Sequence, residues 1–139
     1  MLESRKYSFA VSFGEEGHFN ENEYMEWLQR FIKIFPGGFL MVEKGNETIG
    51  QIELSIREQD LRSIGYVHLY YLTHGYRHKG LGKNVHEYSL RFFARYNVSE
   101  YQLRVSPTNV AALKFYREIG MQESGPEMNG KVLKMRGII

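Results

Sequence analysis

Apolar residues recur at helical spacing from Tyr24 through Trp27, Leu28 and Phe31 to Phe35, which predicts a first amphipathic helix. Asn20, three residues ahead of Glu23, supplies a start signal, and Pro36-Gly37-Gly38 supplies a firm stop. Ahead of this helix, residues 7–13 alternate loosely as an edge strand and residues 14–18 read as a loop. Residues 39–44, 48–57 and 63–72 form a meander of three strands, with a hairpin turn at Gly45-Asn46. In the second strand Ile52, Leu54 and Ile56 alternate with Gln51, Glu53 and Ser55, which predicts one apolar and one polar face. The third is apolar on both faces, with Val67, Leu69 and Tyr71 on one and Tyr66, His68 and Tyr70 on the other. Such a strand belongs in the middle of a covered sheet.

Downstream, a loop spans residues 74–79, and a helix runs from about 82 to 96 with Val85, Ser89, Phe92, Phe93 and Tyr96 as its inward stripe. A short strand follows at 101–105. Pro107 and Thr108 lead into another helix near Asn109, which Gly120 closes, and a last strand covers 132–135. The order of elements predicts an α/β chain, a mixed sheet covered by helices.

Composition narrows the class. The 139 residues fit one domain, and 42% hydrophobic content fills a core, which argues against general disorder. The absence of cysteine excludes disulfide scaffolds, cysteine-ligated zinc and thiol nucleophiles. No apolar run approaches the roughly 18 residues of a membrane span, and no secretory signal opens the chain. A soluble cytoplasmic protein without a membrane partner is therefore expected. The net charge of +2 hides an asymmetry: residues 1–60 hold 6 Lys/Arg against 11 Asp/Glu, whereas residues 61–139 hold 12 against 5. Halves of opposite sign suit an anionic ligand on the C-terminal half and a cationic one near the N-terminal half.

The chemistry concentrates in Arg77-His78-Lys79-Gly80-Leu81-Gly82-Lys83-Asn84, between the central strand and a helix. Glycines there admit a ligand close to the backbone, and first-turn amides at the positive end of a helix attract anions. Arg77, Lys79 and Lys83 add positive charge, so a phosphate or pyrophosphate is the expected ligand. The spacing fits neither a P-loop nor a dinucleotide fingerprint. Read alone, the segment serves equally well as an ordinary strand-to-helix turn. A second group, Ser106-Pro107-Thr108-Asn109, ends the next strand, and Tyr116 lies two helical turns beyond it. A phenol there either donates a proton to a leaving group or merely packs beside Phe115. His18, His74, His78 and His86 show no metal-ligand spacing, so no metal is expected.

These two segments together resemble the GCN5-related N-acetyltransferase (GNAT) family. Its Arg-x-x-Gly-x-Gly/Ala motif matches Arg77, Gly80 and Gly82. Its second signature matches Asn109, Ala112, Phe115, Tyr116 and Gly120, with Met121 in place of an aromatic, and Ile49-Gly50 matches its early hairpin. The resemblance covers about residues 39–121 and implies a mostly antiparallel sheet covered by helices, with acetyl-coenzyme A as co-substrate. It implies that main-chain amides of His78, Lys79, Gly80, Leu81, Gly82 and Lys83 hold the pyrophosphate beside Arg77. It further implies that the strand ending at Tyr70 and Leu72 lines the pantetheine, that Asn109 touches the cofactor, and that Tyr116 protonates the leaving thiolate.

Direct transfer to an amine also needs a base. Glu53 on the polar face of the second strand is the first candidate, and His68 the second. His74 and His78 depart from the family pattern, where proline and glycine are common. One early helix stands where two are usual, which leaves the acceptor wall reduced or completed by another subunit, and the family resemblance allows a homodimer. Glu15, Glu16, Glu21 and Glu23, with Phe19 and Tyr24, suggest a cationic small-molecule or peptide amine as acceptor. A coenzyme-binding module without catalysis is the competing reading. A nucleic-acid partner is not expected, because basic and aromatic positions do not interleave on one face.

Overall fold

The computed structural model describes residues 20–76 and 80–139. The expected strand at 7–13, the loop at 14–18, and Arg77, His78 and Lys79 lie outside the described residues. In chain order the elements are α1 (Glu21–Ile34), β1 (Phe39–Lys44), β2 (Glu47–Gln59), β3 (Arg62–Leu72), a 3-10 turn (His74–Tyr76) and α2 (Leu81–Ala94). They continue with β4 (Glu100–Val105), α3 (Val110–Glu118), β5 (Gln122–Glu127) and β6 (Val132–Ile138). The strands form one six-stranded sheet in the order β1-β2-β3-β4-β6-β5, in which only β3 and β4 run parallel. No helix among the described residues is long and apolar enough to cross a membrane.

The first helix starts as its sequence predicts. Asn20 stays extended and accepts from the Glu23 amide at 3.0 Å, satisfying one of the donors that a helix start leaves over. Tyr24 and Leu28 bury against Phe39, with Trp27, Phe31 and Phe35 packed around them. The opposite face of the sheet carries the larger core, where Ile52, Leu54, Val67 and Leu103 meet Val85, Phe92 and Phe93 of α2 and Leu113 of α3. The helices therefore sandwich the sheet.

Three features differ from the sequence reading or go beyond it. The polar face of β2 is not solvated: Gln51, Glu53 and Ser55 are all 0% exposed, because α1 lies over them. Period-2 alternation fixes which residues share a face, but not what covers that face. Second, the face assignment within β3 changes partway along. Glu53 pairs with Leu69 while Leu54 pairs with Val67, so His68 is an extra residue, a β-bulge. Paired residues share a face, so Leu69 and Tyr71 join the side of Glu53 and Gln51, whereas Tyr70 and Leu72 join the side of Ile52 and Gly50. Third, β5 was not expected. It holds Ser124-Gly125-Pro126, lies at the sheet edge and is largely exposed, a place where a proline costs no ladder bond. Smaller differences concern ends: α2 stops at Ala94, leaving Tyr96 exposed, and β6 extends to Ile138.

Candidate active site

The bulge at His68 coincides with a fork in the sheet. The parallel pairing of β3 and β4 covers only Gly65, Tyr66 and Val67 against Tyr101, Gln102 and Leu103. Beyond it β3 continues for five residues and β4 for two, without pairing to one another. A bulge bends its strand and increases local twist, which accounts for the divergence at this point. The Thr73 amide donates to the Ile49 carbonyl at 2.8 Å, toward β2. Main-chain groups alternate in direction along a strand, so those of Tyr70 and Leu72 point the other way, to the side from which β4 has departed. An extended chain such as a pantetheine arm could pair along this edge.

At the far end of the fork stands the start of α2. Gly80 is its N-cap with φ +80°, and a glycine has no side chain to accept from the first turn. A left-handed cap of this kind favours glycine, and its first-turn amides keep the outward donors that an anion needs. Gly82 has a different reason to lack a side chain. A Cβ there would stand 3.0 Å from two atoms of the Phe115 ring. It is close helix packing, between α2 and α3, that requires this glycine. Lys83 is exposed beside the opening. Asn109 caps α3, its side-chain oxygen accepting from the Ala112 amide at 3.2 Å, which leaves its amide nitrogen to meet a ligand.

On the α2 and α3 side of the fork, Tyr116 faces Tyr70 with ring centroids 6.4 Å apart. Tyr116 is half-buried. Burial, with the nearby Tyr101 adding to it, pushes the Tyr116 phenol up to about 12. Burial also drives the Tyr70 phenol far above the usual tyrosine range, with the Ser89 hydroxyl opposing the shift. The Ser89 hydroxyl itself donates to the Val85 carbonyl at 2.9 Å, and the Tyr70 hydroxyl makes no hydrogen bond of good geometry among the described residues. Both phenols thus stay protonated at neutral pH and can donate to a neighbour. Sequence periodicity did not single out the Tyr70 side chain, because without the bulge it falls on the opposite face.

The two candidate bases differ sharply in setting. Glu53 is fully buried and accepts from the Tyr24 hydroxyl and, at 3.0 Å, from the Gln51 amide. His68 lies at the bulge, beside the fork. Its Nε2 is 2.6 Å from Ser55 Oγ, and its ring meets Trp27 at 4.9 Å and Tyr66 at 4.7 Å. Of the acids expected to draw a cationic acceptor, Glu15 and Glu16 lie outside the described residues, as does Phe19. Glu21 and Glu23 are exposed in the first turn of α1, where the helix dipole already favours carboxylates. Tyr24 is buried against Glu53 rather than presented to a ligand.

The helix-covered sheet that forks between β3 and β4 is a fold with relatives among known proteins. The acetyltransferase (GNAT) family pattern matches residues 6–121. The chain belongs to this family, whose enzymes draw their acetyl group from acetyl-coenzyme A. Among solved structures, PH1933 from Pyrococcus horikoshii OT3 is similar with a TM-score of 0.75 at 20% identity, covering 99% of this chain and 88% of that one. Naa20 from Chaetomium thermophilum, in complex with a bisubstrate analogue, gives 0.76 at 16% identity, covering 99% and 82%. PaiA N-acetyltransferase from Thermoplasma acidophilum, in complex with coenzyme A, gives 0.69 at 20% identity, covering 99% and 87%. No curated protein matches the chain in sequence.

Proposed function

We propose that this chain works as a single domain that transfers the acetyl group of acetyl-coenzyme A directly to a primary amine of a small molecule or peptide. The observation that carries the reading is the fork itself. Beyond Val67 the edge of β3 runs without pairing to β4, Tyr70 on that stretch faces Tyr116 of α3, and Gly80 opens α2 shortly after β3 ends, which supports the reading. These residues fit the cofactor: first-turn amides of Leu81, Gly82 and Lys83 suit a pyrophosphate, and the main chain of Tyr70 and Leu72 suits an extended amide-bearing arm. Arg77, His78 and Lys79 belong to the same loop in the family motif, and Asn109 would meet the arm through its amide nitrogen.

When bound, acetyl-coenzyme A supplies a thioester whose carbonyl carbon an amine attacks; a C–N bond forms and the C–S bond breaks. The main chain of β3 would polarise that carbonyl with fixed donors. Tyr116 would donate a hydrogen bond to the departing sulfur and give up its proton only as a neighbour replaces it. A phenol at about 12 is a far weaker acid than an ordinary thiol near 8.5, so it does not lose its proton for long. His68, rather than Glu53, is assigned the amine proton. In the tautomer that donates Nε2–H to Ser55, the basic lone pair lies on Nδ1. Glu53 instead holds α1 to the sheet through Tyr24.

Initial-rate kinetics with acetyl-coenzyme A and a panel of amines test the reading. Intersecting double-reciprocal lines and coenzyme A release matched to N-acetyl product are expected. Parallel lines would contradict direct transfer. Cofactor binding without transfer to any amine would make the chain a coenzyme-binding module instead.

A further inference from the structure

The face of the sheet beneath α1 carries a second feature that neither the cofactor cleft nor the proton path uses. Tyr66 lies next to His68 on this face. The Arg57 guanidinium sits over the Tyr66 ring at 3.6 Å from its centroid, and that of Arg104 lies 5.6 Å away. Arg104 also donates to the Tyr66 hydroxyl and, through Nε, to Glu127, both at 2.9 Å. Beside them opens a cavity of about 150 Å³, lined by Arg57, Arg104 and Lys134 and by Glu58, Gln102 and Glu127.

The charges around this cavity do not cancel. Glu127 is committed to Arg104, Glu58 accepts from the Ser63 hydroxyl at 2.5 Å, and the Gln102 amide donates to Glu100 at 2.9 Å. Neither Arg57 nor Lys134 has a carboxylate within ion-pairing distance among the described residues. Partial burial lowers the affinity of Arg57 for its proton, as expected of a cation whose desolvation is incompletely offset, with Tyr66 and Glu127 acting in the opposite direction and Arg104 adding repulsion. A stacked guanidinium held flat by an aromatic ring offers a preformed fork of donors to a planar oxyanion. The position matters as much as the charge. Arg104 stands one residue past Leu103, where β4 leaves β3, and a single tyrosine ring separates Arg57 from His68.

We propose that this cavity is the acceptor's anion subsite, so that the enzyme acetylates amines that also carry an oxyanion, with a carboxylate or a phosphate seated between Arg57 and Lys134 while the amine nitrogen lies at His68. The proposal rests on the acetyl-transfer reading and replaces the cationic acceptor suggested by the acidic N-terminal half. The volume suits one such group, and the single Tyr66 ring between Arg57 and His68 puts that anion a few bonds from the amine.

Matched amines give the test: 4-aminobutyrate against butylamine for the carboxylate, and phosphoethanolamine against ethanolamine for the phosphate, with 1,4-diaminobutane as the cationic control. The anionic member of one pair is expected to exceed its partner in kcat/KM by about tenfold or more, the scale of a charge-assisted hydrogen bond. The pair that responds identifies the oxyanion. R57Q and, separately, K134Q should raise KM for that amine by about tenfold with kcat nearly unchanged, and R57K should recover only part of the loss. Both positions are on the surface of the sheet, and far-ultraviolet circular dichroism verifies the fold of each variant. Equal or better use of butylamine, ethanolamine or diaminobutane would overturn the subsite while leaving acetyl transfer intact, as would an unchanged KM in both variants. If no amine in the panel is a substrate, calorimetry of N-acetyl-4-aminobutyrate and N-acetylphosphoethanolamine against the coenzyme A complex decides. Binding of one that R57Q weakens supports the subsite, and binding of neither overturns it.

Discussion

Gly82 at the start of α2 and Phe115 in the middle of α3 belong to different sequence motifs, yet the edge of the Phe115 ring stands 3.0 Å from where a Cβ on Gly82 would lie. The loop proposed to grip the cofactor is thereby tied to the helix that carries Tyr116. Substituting Gly82 by Ala should force the ring aside. Overpacking of this kind costs about 1–3 kcal/mol, against a gain of up to roughly 1 kcal/mol from helix propensity. A net loss of stability is expected in denaturant unfolding, and the double variant G82A/F115L should recover most of it. If G82A is as stable as the parent, the contact is not what demands glycine.

The hydroxyl of Tyr116 is argued to act on the leaving sulfur. The Y116F variant should retain acetyl-coenzyme A affinity within about twofold and lose roughly a hundredfold in kcat, within the usual range for a positioned acid. Since burial holds this phenol at about 12, it remains protonated through the neutral and mildly alkaline range. The pH profile of kcat should therefore show no alkaline fall attributable to Tyr116 below roughly pH 10. A limb near pH 8 that vanishes in Y116F would contradict the assignment.

His68 and Glu53 separate under mutation. H68Q should lower kcat by about a hundredfold with little loss of stability, and S55A should lower it less by loosening the ring. E53A should do the reverse. It takes the buried carboxylate acceptor from the Tyr24 hydroxyl and from the Gln51 amide, which keeps its 3.2 Å bond to that hydroxyl, and costs on the order of 3 kcal/mol. Stability from chemical denaturation and kcat, measured on the same preparations, check the division. A larger kcat loss in E53A than in H68Q, at full folding, would return the base role to Glu53.

Glu100, at the start of β4, gives stability a pH dependence of known sign. Burial pushes its carboxyl up, but the Gln102 amide and the Arg136 and Arg62 guanidiniums outweigh this and hold it below its ordinary value of 4.5. The unfolded chain then takes up the proton first, so the contribution is complete above about 4.5 and is lost as pH falls through the lower folded value. Thermal unfolding between pH 6 and 3 should show this loss, and E100Q should flatten it. An unchanged slope in E100Q would assign the acid sensitivity to other carboxylates.

Much of this architecture is legible in the residue pattern, for reasons that are local. Asn20 and Asn109 act as the caps that their side chains suit, Gly120 takes the left-handed conformation that ends α3, and β1 has the ends its alternation predicts. What was not legible depends on neighbours far away in sequence. The bulge at His68 arises from pairing with Glu53 and Leu54, and it moves Tyr70 to the side of Tyr116. The burial of Glu53 depends on α1 crossing β2. Likewise Arg57, Tyr66 and Arg104 come from three strands, and only the sheet register brings them together. The strand β5 hides behind a glycine and a proline because an exposed edge tolerates both.

The central claim is that main-chain donors lining the β3 fork and the first turn of α2 hold acetyl-coenzyme A. Residue-level amide hydrogen exchange with and without acetyl-coenzyme A tests it directly. The account predicts slowed exchange at Tyr70 and at Leu81, Gly82 and Lys83, with the β5–β6 edge unchanged. Binding that leaves those amides as fast as before, or that protects the opposite edge of the sheet instead, would contradict it.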